Sequence, residues 1–279
     1  NNQSQLLKNL NSILYPVSDG LNPNLNTKTM IKASAFWKQH FHSNLQHQRV
    51  DWNQKPQITS EEKEQILYSL KAWQLGETSD GRHLLAAAAK YASRINDPEY
   101  VEAVKLFILE EQKHGANLGK YIDAIGEERT KHDWGDWLFR RIRYFNTSME
   151  LWTVTVIIVE SAAQVFYQAL HDATNCSLLK SICHDILVDE AHHIKFQNER
   201  LYMIFKDKPF YAKAFAVTWY CLLFFITIHA VWFGHGKAHK AGGVNRDEFM
   251  RQMYRKFFRT IHFIHQAERE TVGSPIVAG

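Results

Sequence analysis

The chain has 279 residues, 45% hydrophobic and 13% aromatic, enough apolar mass for a packed core and too much for global disorder. Its 33 Lys and Arg against 29 Asp and Glu leave a net charge of +4, too mild and too evenly spread for a nucleic-acid footprint. Three cysteines, Cys176, Cys183 and Cys221, form neither a C-x-x-C pair nor a disulfide framework, which excludes a zinc ribbon or a rubredoxin-type iron site and points to a reducing compartment.

Residues 1–58, rich in Asn, Gln and Ser, read as an irregular leader with a short helix from about Met30 to Phe41. NNQSQLLKNL lacks the basic-then-apolar order of a secretory signal, so a cytoplasmic chain is expected. Only 13 Gly and 6 Pro punctuate the chain and alternating strand patterns are nearly missing, which predicts an all-α fold. Thr59 and Glu62 make a capping box before a periodic run ending near Ile95. Asp97-Pro98 opens a second helix that stops at Gly126, and the short link at Asn96 makes the two antiparallel. A basic, Trp-rich stretch, Trp134 to Tyr144, leads to a helix over Met149–His171 and another over Ser177–Phe205, ended by Asp207 and Pro209. The chain thus divides into the leader, a two-hairpin bundle over 59–206, and 207–279. This last part carries an uncharged run from Ala214 to Gly234, a Gly242-Gly243 loop and a basic amphipathic helix from about Arg246 to His265.

Glu111-Gln112-Lys113-His114 and Glu190-Ala191-His192-His193 are both Glu-x-x-His, a spacing that puts a carboxylate and an imidazole on one helix face. The other two long helices offer Glu77 and Glu160, the latter in an otherwise apolar stretch where a bare carboxylate would be costly. Glu77 to Glu111 is 34 positions and Glu160 to Glu190 is 30, so both hairpins return to a similar height. Asp80, on the same face as Glu77, is its competitor. One Glu from each of two helices and a Glu-x-x-His from each of the other two is the layout of a bundle core holding two metal ions.

On these residues the chain resembles the ferritin-like di-iron carboxylate proteins, the group with bacterial multicomponent monooxygenases, ribonucleotide reductase small subunits and aldehyde-deformylating oxygenases. The resemblance covers roughly residues 60 to 206 and implies a four-helix bundle with extra N- and C-terminal helices. It implies Glu77, Glu111, His114, Glu160, Glu190 and His193 as metal ligands, with Glu111 and either Glu160 or Glu190 bridging. The acids before each motif Glu, Glu110 and Asp189, match a feature of oxygen-activating members: a ligating imidazole needs its second nitrogen held, and each acid can reach the His of the other helix. Two iron ions are implied, with manganese in one or both positions compatible with the same donors. A rubrerythrin-type extra Glu would fall at Ala163, the monooxygenase hydroxyl residue at Gln164, and the arylamine N-oxygenase extra His at Ile186. The reaction type therefore stays open, with Gln164 a candidate for the oxygen pocket.

The expected activity is O2-dependent oxidation of an apolar or aromatic small molecule in a pocket lined by Leu84, Phe107, Val156, Ala163 and Phe166, fed by an electron-donor protein, in a homodimer. Ferritin-like iron handling and a membrane-associated di-iron oxidase are the alternatives. Trp73 and Tyr167 share faces with ligands and are read as packing; His83, His184 and His192 as non-ligands. The run Ala214 to Gly234 is read first as core or subunit packing and second as a membrane span, and His235 to His239 as a loop.

Overall fold

The computed structural model describes residues 31–144 and 148–272. Met30 and the rest of the leader to its N-terminal side lie outside the described residues, as do 145–147 and 273–279. Nine α-helices and no strand occur among the described residues.

Helix α1 (Ser34–Leu45) follows the expected leader helix with a shift toward the C-terminus. Helix α2 (Ser60–Glu77) starts at the capping box, where the Thr59 hydroxyl accepts from the Glu62 N–H at 3.1 Å and the Glu62 carboxylate accepts from the Thr59 N–H at 2.7 Å. The run does not continue to Ile95 as one helix. It breaks after Glu77, where the Thr78 hydroxyl caps the Leu75 carbonyl and Gly81 takes φ +62°, and α3 (Arg82–Ile95) restarts beyond it. At Gly81 a Cβ would also lie 2.6 Å from Ile108, so the turn depends on glycine twice over.

Helix α4 (Glu99–Ala124) packs against both α2 and α3, and α6 (Met149–Asp172) pairs with α7 (Ser177–Phe205). Contacts of α4 with α7 and of α3 with α6 join the two hairpins into the bundle. The Trp-rich connector is itself a helix, α5 (Trp134–Tyr144), lying near α2 and α8.

Two apolar layers flank the middle of the bundle. One holds Leu70, Leu118, Phe166, Leu170, Ile182 and Ile186; the other holds Trp37, Phe41, Tyr100, Phe107 and Phe196, with α1 laid across α4. Between them the helices carry charged side chains inward. That is a placement no apolar driving force explains.

Helix α8 (Phe210–Ala241) runs through the 235–239 segment that the sequence suggested as a loop, and α9 (Arg246–Val272) closes over α6, α7 and α8. The two glycines that argued for a loop are contact points instead: a Cβ on Gly234 would meet Trp134 at 3.1 Å and one on Gly236 would meet Trp232 at 3.2 Å. Nor is α8 a core helix, since 22% of its most apolar stretch is buried, against 72% for α6. Tyr220, Phe224 and Ile228 pack inward against Ile157, Val165 and Phe249, and the opposite face is open.

Candidate metal centre

All six expected donors meet in the charged layer. One ligand atom each from Glu111, Glu160, Glu190 and His193 lie within 4.8 Å of one another, and the same holds for Glu77, Glu111 and His114. Glu111 belongs to both groups. His193 Nδ1 is 2.8 Å from the Glu111 carboxylate and 3.7 Å from that of Glu190, while His114 Nδ1 is 3.9 Å from Glu190 on the other side. Glu190 thus faces both imidazoles. Glu77, Glu160, Glu190 and both histidines are buried, and Glu111 nearly so.

The helix break places Glu77. As the last residue of α2, it comes against α4 at Gly115, where a Cβ would approach the Glu77 backbone and Cβ to 3.1 Å and Thr78 to 2.8 Å. Asp80, its competitor, points away and pairs with Arg82 at 2.6 Å in solvent.

The far nitrogens of both imidazoles are held by crossed contacts. Asp189 of α7 accepts from His114 Nε2 of α4 at 3.0 Å, and Glu110 of α4 accepts from His193 Nε2 of α7 at 2.8 Å. With Nε2 held in this way, each Nδ1 is the nitrogen turned toward the carboxylates. Asn44 from α1 ties the two acids together, donating from Nδ2 to Glu110 at 2.7 Å and to Asp189 at 2.8 Å. Arg49 and Lys113 add charge-assisted contacts to Asp189 at 2.7 and 3.2 Å, and both reach buried Asp185 as well.

Sequence reasoning missed Asn44, Arg49, Lys113 and Asp185. Asn44 and Arg49 stand in the segment taken as an irregular leader, about 140 positions from the acid they hold, and only a shared multi-carboxylate layer would have asked for such donors. Tyr167 is also more than packing, because its hydroxyl donates to Glu77 at 2.6 Å.

The charges compete strongly. Burial, together with Glu111 and Glu190, pushes the Glu77 and Glu160 carboxyls well above the usual carboxylate range. Burial opposes the charge of Glu111 as well, but His193 beside it prevails and holds the carboxyl down at about 2. Burial works against protonation of His193 and His114, yet Glu111 and Glu110 raise His193, and Asp189 and Glu111 raise His114. Asp189 is likewise desolvated, and its bonds to His114 and Arg49 bring it below the usual range.

Even so, five buried facing atoms make no hydrogen bond of good geometry: both Glu190 oxygens, His114 Nδ1, and the pair His193 Nδ1 and Glu111 Oε1, which meet at 2.8 Å as an ion pair. Buried orphans of this kind are rare, and here they all point at one another. Carboxylate and imidazole donors converging in this way are a ligand set for cations, and two overlapping groups match a pair.

A cavity of about 380 Å³ adjoins Glu77, Glu111 and Glu160 and runs outward between α6 and α8. Leu84, Phe107, Val156 and Ala163 line it as expected; Phe166 does not, since its ring stacks behind Trp73 at 4.8 Å. Gln164 also stays out of the cavity lining, with its amide oxygen accepting from Lys256 of α9. Of the other histidines, His83 and His235 edge the cavity, while His192 donates to the Val188 carbonyl and stacks near His40.

Fold and site together define a ferritin-like helical protein with a dinuclear carboxylate layout. Solved structures agree on the fold. An R2-like ligand-binding oxidase with aerobically reconstituted Mn/Fe cofactor superposes with TM-score 0.57 at 18% identity, covering 89% of this chain and 98% of that one. A variant of the R2-like ligand-binding oxidase with anaerobically reconstituted Mn/Fe gives TM-score 0.56 at 18% identity over 89% and 99% of the two chains. Another variant, with aerobically reconstituted Fe/Fe cofactor, gives 0.56 at 17% identity over the same shares. No family model and no curated protein matches the chain.

Proposed function

We propose that this chain is an O2-dependent oxidoreductase whose cofactor is a pair of iron ions, or manganese with iron. Glu77, Glu111, His114, Glu160, Glu190 and His193 would hold the pair, with Glu111, common to both donor groups, placed to touch both positions. The carrying observation is the convergence of four glutamates and two histidines on one centre, with both histidine back nitrogens anchored by Glu110 and Asp189. That the neighbours in fold are oxidases with Mn/Fe or Fe/Fe cofactors supports the same reading.

When bound, such a pair supplies electrons to O2 and an oxidising centre for an organic substrate. The chain's own residues do the rest. Asp189 and Glu110 fix the imidazole tautomers and keep the rings aimed. Tyr167 holds the Glu77 carboxyl group, its phenolic oxygen donating from 2.6 Å away. The apolar walls made by Leu84, Phe107, Val156 and Ala163 exclude water and seat an apolar or aromatic molecule against Glu77 and Glu160. Such a substrate pocket has no use in iron storage, which places the ferritin-type alternative second. Electrons would come from a separate donor protein.

The test is to load iron, reduce the protein without oxygen, admit O2 and follow the visible absorption. A transient that decays faster when an apolar substrate is present supports the proposal. A flat trace from protein carrying two irons per chain contradicts it.

A further inference from the structure

We propose that the open face of α8 docks flat on the surface of an anionic lipid bilayer, with the mouth of the cavity turned toward the lipid. The position of the mouth matters through the substrate role proposed above; the docking itself does not depend on it.

Tyr211, Phe215, Trp219, Leu222, Ile226, His229, Phe233, Lys237 and Lys240 recur at steps of three or four, so they trace one nearly straight line along the helix. Phe215 is 78% exposed and Phe233 83%, values far outside those of core aromatics. From Lys208 to Arg246 the chain contains five Lys and Arg and no Asp or Glu. The stripe is thus apolar and aromatic along most of its length and cationic where it ends, at Lys237 and Lys240.

Neighbouring elements extend the patch. Tyr254 and Phe258 of α9 are exposed beside Phe224 of α8, and the exposed Trp134 of α5 packs edge-on against Phe233 at 5.9 Å. Trp137, also exposed, carries Arg141 over its ring. The acids nearby are already engaged, Asp136 with Arg140, Asp133 with Tyr68, and Glu64 of α2 with Lys237 of the stripe itself at 3.0 Å.

Charge and geometry select the occupant. An aromatic stripe with one basic end and no acid of its own complements anionic headgroups over an acyl layer. A free span is disfavoured, because the inner face of α8 is fastened to α6, α2 and α9, leaving only the outer stripe to enter the interface. The cavity reaches the same place: Ile226, Val231 and Trp134 line it, Ile226 and Trp134 are at once exposed members of the patch, and Asp80, Arg82 and Arg140 are its exposed polar lining elsewhere. An apolar molecule dissolved in the bilayer would meet the mouth without crossing water.

The experiment is co-sedimentation of the full chain with vesicles of phosphatidylcholine alone and of phosphatidylcholine with phosphatidylglycerol, read beside sedimentation velocity without lipid. Binding is expected to the anionic vesicles. Phe215→Ser with Phe233→Ser should weaken it roughly tenfold or more, and Lys237→Glu with Lys240→Glu should abolish the preference for anionic lipid. Both pairs lie on the surface, so helical circular dichroism and metal content should stay at wild-type values. Wild type left in the supernatant by both vesicle types overturns the proposal. So does a dimer in solution that Phe215→Ser with Phe233→Ser dissociates, since that would make a second copy the occupant. Binding is read equally on metal-free protein, so its outcome is separate from that of the oxidase reading.

Discussion

The centre of the bundle and the outer face of α8 break opposite rules. In the centre, three buried glutamates, the nearly buried Glu111 and two buried histidines stand where apolar residues would ordinarily go, and each is met by a donor, an acid or another ligand atom. On α8, large aromatics stand where polar residues would ordinarily go, and among the described residues they remain largely exposed. A buried charge and an exposed hydrophobe are both costs to a folded monomer. The difference shows where the missing partner belongs: inside the protein for the first, and outside it for the second.

The strongest way to break the contrast on the α8 side is at the point where that helix is fastened. A Cβ on Gly242 would lie 2.1 Å from the Ala169 carbonyl oxygen of α6, so backbone would have to move. Gly242→Ala should cost about 3 kcal/mol of stability, measured by urea unfolding. A change under about 0.5 kcal/mol would mean that α8 is not held to α6 as described.

At the centre, Asp189→Asn leaves volume unchanged but weakens the hold on His114 and on Arg49. Metal affinity should fall by about 10- to 100-fold, measured by competition with a chelator, with little change in fold. Unchanged affinity would show that the crossed acid contacts do not position the imidazoles.

A pH series sharpens the same point. Glu77, Glu160, His114 and His193 all have raised values in the metal-free protein. Their contribution to the metal-free fold is present at low pH and is lost as pH climbs through those raised values. Bound cations require the same groups deprotonated. The difference in Tm between loaded and metal-free protein should therefore widen as pH rises through those raised values. A constant difference would mean that these groups do not exchange protons for metal.

The smallest effect is expected on the exposed stripe. Phe215→Ser should change stability in lipid-free buffer by less than about 0.5 kcal/mol, because its ring buries almost nothing in the monomer. A loss several times larger would place Phe215 in a solution interface.

The parts of this molecule that sequence revealed were local or periodic. The capping box at Thr59 starts α2, Asn96 takes the left-handed conformation that separates α3 from α4, and the two Glu-x-x-His segments turn their side chains to one centre. The break after Glu77 was legible too, in the Thr78-Ser79-Asp80-Gly81 turn signal, but the flanking helical periodicity outweighed it. Asn44 and Arg49 could not be seen, since their purpose is set by Asp189 far along the chain. For α8 the apolar run was plain, but an apolar run looks the same whether it is packed within a core or bare. Only the packing of one face against α6, α2 and α9 told the two apart.

The central claim is met most directly by anomalous X-ray diffraction at the iron and manganese edges from crystals of protein purified with its own metals. The account predicts two peaks per chain, one among Glu77, Glu111 and His114 and the other among Glu111, Glu160, Glu190 and His193, both lost in Glu160→Ala. Density for a well-packed, metal-free centre in the wild type, or peaks elsewhere in the molecule, would contradict it.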